Sequence, residues 1–191
     1  MARVGLKDLY AFPLESDDDS GVKYGEAFRL AKAIEATITP QSSEASLYAD
    51  DTQVEYFSGV TGYDVSFNVD DLTPETKGKV LGYETDADGV VIENNELNPK
   101  EHAIAFRSKR SDGKYEYRVL YKVRFAPTED RYTTQGESVE FQTPTITGKA
   151  MSVSGGLFGA NVIESDTNKA VIDGWFKTPH LPSKSKTKPA E

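Results

Sequence analysis

Apolar and polar side chains alternate most regularly over residues 101–125, EHAIAFRSKRSDGKYEYRVLYKVRF, where two runs of strand-forming residues flank Asp112 and Gly113. This pattern predicts an antiparallel hairpin closed by a two-residue type I′ turn. Ser111 then pairs with Lys114, and one face carries Tyr115, Tyr117, Val119, Tyr121 and Val123 opposite Arg110, Ser108, Phe106, Ile104 and His102. The other carries Glu116, Arg118, Leu120, Lys122 and Arg124 opposite Lys109, Arg107, Ala105 and Ala103. That second face is mostly basic, with Arg107 and Arg118 directly across from each other, an arrangement that is destabilising unless something negative covers it.

Strand signals dominate the rest of the chain. Tyr63, Val65, Phe67 and Val69 alternate with Asp64, Ser66, Asn68 and Asp70, which predicts a half-buried strand with an acidic outer side. Residues 30–39 (LAKAIEATIT) have alanines that suit a helix but end at Pro40 as a strand does. Residues 139–147 (VEFQTPTIT) read as a strand whose Pro144 requires an edge or a bulge, and residues 170–177 (AVIDGWFK) as a short closing strand with the only tryptophan. One helix is predicted, capped by Thr73, opened by Pro74 and stopped at Gly82. Residues 15–21, 41–54 and 151–161 read as loops; the second sets Leu47 and Tyr48 between polar stretches, and the third is glycine-rich around Leu157 and Phe158. The expected organisation is one β domain over residues 1–177 and a disordered basic tail over residues 178–191.

Charge sharpens this picture. The 191 residues hold 22 basic and 31 acidic side chains, a net charge of −9, and the lysines of the tail make the remainder more acidic still. Such a surface repels nucleic acid, because affinity for a phosphate backbone rests on a surplus of Lys and Arg. The basic hairpin is an exception within an acidic protein. There is no cysteine, so neither disulfides nor thiolate metal sites are available. The opening residues lack a signal-like apolar segment, and no uncharged run is long enough to span a bilayer, so no membrane association is expected.

Catalytic patterns are missing. His102 and His180 are the only imidazoles, one in a strand and one in the tail, which leaves a nucleophilic serine without a base. The glycines of residues 155–159 lack the lysine and the strand-to-helix setting of a phosphate loop. Glu84, Asp86, Asp88 and Gly89 match the start of a calcium loop, but Asn95 stands where a bidentate Glu is required, so the segment reads as a turn between helix and strand. We expect no enzyme, no cofactor and no metal. Recognition or assembly remains. An acidic face of an identical subunit, such as the Asp64 and Asp70 side, would complete the basic hairpin, and contact between two different patches of one protein generates rings or filaments. Exposed strand edges would add main-chain pairing between subunits.

Five segments, in order, resemble the major tail tube proteins of long, non-contractile-tailed bacteriophages: GLKDLY from Gly5, IEATI from Ile34, LYADD from Leu47, the hairpin end LYK from Leu120, and FQTPTITG from Phe141. The resemblance implies a mainly β fold, a two-sheet β-sandwich or barrel with one flanking α-helix, similar to the type VI secretion tube protein. It implies a structural subunit that polymerises as stacked hexameric rings around a channel holding the tape-measure protein and later conducting DNA. Tail terminator and distal tail proteins would be further partners, the virion tail the final location, and the host cytoplasm the place of assembly. By the same likeness, residues 41–54 would reach an adjacent ring with Leu47 and Tyr48 as anchors. Arg107, Lys109, Arg118, Lys122 and Arg124 would form the cationic side of a subunit interface, covered by acidic neighbours and not bare in the channel. The competing reading is a monomeric β-sandwich binding module for carbohydrate or a cell surface, with Tyr115 or Trp175 as its platform.

Overall fold

In the computed structural model, residues 1–19, 21–95, 98–134 and 141–182 are described. Eleven strands account for most of them: β1 (Arg3–Asp18), β2 (Gly21–Tyr24), β3 (Phe28–Ala31), β4 (Ala33–Ala49), β5 (Thr52–Val69), β6 (Glu84–Thr85), β7 (Val91–Ile92), β8 (Glu101–Arg110), β9 (Tyr115–Phe125), β10 (Thr145–Met151) and β11 (Gly159–Ile163). Helix α1 (Pro74–Leu81) follows β5, and a 3-10 turn (Asp166–Asn168) leads into α2 (Lys169–Asp173). One large antiparallel sheet runs in the order β2-β1-β8-β9-β10-β5-β4, with β3 added to β1 and β11 to β9; β6 and β7 form a small separate ribbon.

The large sheet bends so that β5 lies over β8 and β9, giving the two layers of a β-sandwich. Phe67 of β5 meets Phe106 and Phe125 edge-on, with ring centroids 6.1 and 6.3 Å apart. Leu9, Val65, Val69, Ile104, Leu120, Val123 and Ile146 fill the space around them, and α1 closes one end with Val80 and Leu81. A second core lies on the opposite side of β8 and β9, where Phe12, Ala103, Ala105, Tyr117, Val119 and Tyr121 pack under Trp175. The central hairpin is therefore buried on both faces, which corrects the expectation of a continuous basic surface.

Its register is also shifted. Arg110 N–H donates to Lys114 O and Gly113 N–H to Arg110 O, so the turn holds three residues, with Gly113 at φ 84° in the left-handed region. The extra residue moves the pairing by one: Arg107 pairs with Tyr117 and Phe106 with Arg118. Arg107 and Arg118 are thus on opposite faces. A bulge in β9 between the Ile104–Leu120 and His102–Val123 pairs restores the expected partners at the far end.

α1 forms as expected: Thr73 Oγ1 accepts from Thr76 N–H, Pro74 opens the helix, and Gly82 caps it at φ 78°. A side chain at Gly82 would strike Asn98 O at 2.1 Å. Residues 84–92 form the expected turn, in which Asp86 Oδ1 accepts from the N–H groups of Asp88 and Val90. Other expectations change. Residues 41–54 are not a loop; they belong to β4 and β5, which run on as one long hairpin. Residues 170–177 are helical and turn-like because Ile172, Trp175 and Phe176 recur at helical spacing on the side facing the second core. The acidic segment 15–21 is mostly β1, continuing to Asp18. Of the expected strand 139–147, β10 begins only after Pro144, and residues 139–140 lie outside the described residues. The first residues of the expected tail are packed: Pro179 is buried, Leu181 joins the second core, His180 stacks on Trp175 and His180 O accepts from Tyr121 Oη. Residues 183–191 of that tail lie outside the described residues.

Candidate assembly surfaces

β10 pairs with β5 only as far as Tyr63, and beyond that point β4 and β5 continue alone to their turn. At the usual rise per residue, Gln41 to Ala49 projects about 30 Å from the body. The turn is two residues, Asp50 and Asp51, at φ 49° and 58°, the geometry of a type I′ turn. Pro40 is accommodated because β4 is an edge strand, and bulges after Gln41 and Leu47 twist the ribbon. Leu47 and Phe57 lie on one face of this arm, 58% and 66% exposed, and Tyr48 and Tyr56 on the other, 65% and 55% exposed. An isolated two-stranded ribbon is marginally stable in water, and one with apolar residues on both faces is more costly still. The arm's own subunit leaves these apolar side chains in solvent.

Leu47 and Tyr48 are exposed on this arm, and so are Val54, Tyr56, Phe57 and Val60, which the sequence reading did not single out. The usable signal was the continuation of β-formers past Asp51, muted because Asp-Asp is a weaker turn pair than Asn-Gly.

The five cations fall in separate environments. Arg107 donates to Asp8 at 2.5 Å and lies over the Tyr115 ring at 4.7 Å, on the Trp175 side of the sheet. Lys122 Nζ is 2.9 Å from Asp17 Oδ2 and 3.4 Å from Glu101. Burial alone would raise the Asp17 carboxyl, but the Ser154 N–H and Lys122 hold it below the usual carboxylate range. Among the described residues no ion pair forms at Lys109, Arg118 or Arg124. Lys109 and Arg124 are exposed, whereas Arg118 is half-buried beneath the β4 side of the sandwich, where desolvation lowers its pKa. Nearby Glu116 is already engaged by Arg3 at 2.7 Å. The register shift places Arg118 on the opposite face of the hairpin from Arg107 and Lys109.

Between β1 and β4 the sheet does not close. β1 pairs with β8 over Arg3–Lys7 and meets β3 only from Leu9, while β4 pairs with β5 alone. The resulting cleft, about 480 Å³, is lined by Val4, Leu6, Ile34, Ile38, Phe106 and Arg118, among others. Among the described residues no cluster of three or more His, Asp or Glu is placed to hold a metal ion. No helix there is long and apolar enough to cross a membrane.

A β body with unpaired strand edges and a projecting apolar arm has the features of a structural subunit that associates with its own kind. The family model described as phage tail tube protein matches residues 27–177, and the chain belongs to that family. A search of curated proteins found no match. Family membership makes this a structural protein of the virion tail that self-assembles into a tube and associates with other tail components.

Proposed function

We propose that this protein polymerises as stacked hexameric rings whose channel holds the tape measure during assembly in the host cytoplasm and conducts the genome at infection. Tail terminator and distal tail proteins would cap the two ends. The observation that carries this reading is the arm: about 30 Å of two-stranded ribbon, apolar on both faces, supports contact with an adjacent ring through Leu47, Tyr48, Tyr56 and Phe57. Lys109, Arg118 and Arg124 are the cations open to a neighbour's acids, while Arg107 and Lys122 serve their own subunit. The net charge of −9 suits a conduit, because a surface short of Lys and Arg does not retain passing DNA. The role is structural and not catalytic.

The carbohydrate-binding alternative loses its platform. Trp175 is 2% exposed and Tyr115 is occupied by Arg107. Replacing residues 42–61 by Asn-Gly tests the assembly reading, because it removes the arm without touching either core. The shortened chain should fold, with unchanged near-ultraviolet circular dichroism, and sediment as a monomer at concentrations where the full chain forms tubes. Equal tube formation by both would refute the role given to the arm.

A further inference from the structure

The arm and the open cleft lie at opposite ends of one strand. β4 begins at the cleft, where Ile34, Ala36 and Ile38 form one wall, and ends at the arm tip beside Asp50 and Asp51. A contact between these two ends of neighbouring copies repeats head to tail along the strand direction, which produces a stack and not a closed pair. Their chemistries match. The arm offers large apolar side chains on both faces, so laying it on a flat surface would cover only half of them, whereas a cleft covers both. The cleft offers Val4 and Ile34, 62% and 54% exposed, above a floor of Leu6 and Phe106. It also holds Arg118, half-buried and without an ion pair among the described residues, beside Glu35 and the Arg3–Glu116 pair. The arm tip carries two adjacent carboxylates in left-handed backbone geometry, unpaired with any cation among the described residues. The β1 edge over Arg3–Lys7 and the outer edge of β4 carry unpaired main-chain groups at the cleft, either of which can pair with an arriving strand.

We propose that the β4–β5 arm of one subunit inserts into the β1–β4 cleft of the next, with Asp50 and Asp51 supplying the counter-charge for Arg118. This rests on the tube reading and adds the identity of the receptor site.

The absence of cysteine permits a direct test. Leu47→Cys and Ile34→Cys place one thiol on the arm and one in the cleft. Under mild oxidation after assembly, the doubly substituted chain should give a ladder of covalent multimers on a denaturing gel. A mixture of the two single variants should stop at dimers, and a control pairing Leu47→Cys with Val90→Cys on the distant β6–β7 turn should give none. Tubes that form normally with no ladder overturn the cleft assignment while leaving the tube reading intact. Failure of the unmodified chain to assemble overturns the tube reading and this inference with it.

A charge cycle gives an independent readout. Arg118→Gln and the pair Asp50→Asn with Asp51→Asn should each raise the concentration needed for assembly about tenfold, and all three together should raise it no further than either alone. Multiplying effects, about a hundredfold in combination, would mean that these groups do not meet.

Discussion

His102 occupies the inner end of β8, with Nδ1 2.9 Å from Lys100 O and its ring edge-on to Phe28 at 5.9 Å. Burial pushes the imidazole pKa down to about 4, from an ordinary 6.5. The folded state therefore resists protonation that the unfolded chain accepts. Its contribution is fully present above pH 6.5 and is lost as pH falls toward 4, with an upper bound of about 3 kcal/mol. Urea titrations should show stability falling over that window, and His102→Gln should flatten the fall; an unchanged slope in the variant would assign it to other groups. Trp175 is the other residue on which much depends, since it covers Tyr117 at 6.0 Å and stacks with His180 at 6.1 Å. Trp175→Ala should cost about 3–5 kcal/mol in chemical denaturation and release residues 178–182 to proteolysis. At this scale the sequence was partly legible: the alternation placed Tyr117, Val119 and Tyr121 on one face of the hairpin, and the second core receives all three. The pairing of Arg107 with Asp8 was not, because it joins strands far apart in the chain.

Among the elements, helix α1 was read correctly from Thr73, Pro74 and Gly82, because caps are local chemistry that distant packing rarely overrides. The central hairpin was found but misregistered, since Asp-Gly serves both a two-residue turn and the end of a three-residue one, and only the Arg110–Lys114 pairing distinguishes them. The C-terminal helix was mistaken for a strand because Ala170–Phe176 is short and its period is ambiguous until a second core is seen to receive Ile172, Trp175 and Phe176. The arm was taken for a loop for the opposite reason. No core of its own subunit receives it, so its alternation does not separate buried from exposed. Its turn supplies a discriminating experiment. Asp50→Asn with Asp51→Gly should relax the left-handed backbone and slow amide exchange in residues 43–58 of the free subunit several-fold. The same substitution should nevertheless weaken assembly, because it removes both carboxylates. Stronger assembly in step with the better-formed turn would show that arm order, and not tip charge, governs the contact.

For the whole molecule, two closed cores sit beside one open seam and one unsupported ribbon, so the subunit is stable as a body and unfinished at its ends. The expected sandwich agrees with the fold, which adds the second short helix α2 and whose layers are two parts of a single bent sheet. Of the five hairpin cations, Arg107 and Lys122 are paired within their own chain by Asp8, Asp17 and Glu101, while Lys109, Arg118 and Arg124 form no ion pair among the described residues. In the proposed assembly a second copy covers the apolar arm and pairs the half-buried Arg118. A pairing of that kind is partly desolvated, so assembly should weaken with added salt by less than surface ion pairs would require. Turbidity measured across 50–500 mM salt would reveal any steeper dependence.

The most direct measurement is a helical reconstruction by electron cryomicroscopy of tubes grown from the purified chain. The account predicts a hollow tube of repeating rings in which density for residues 41–62 leaves each subunit and enters the seam between β1 and β4 of a subunit in the next ring. Arms lying free in solvent or in the channel, with that seam empty, would contradict it.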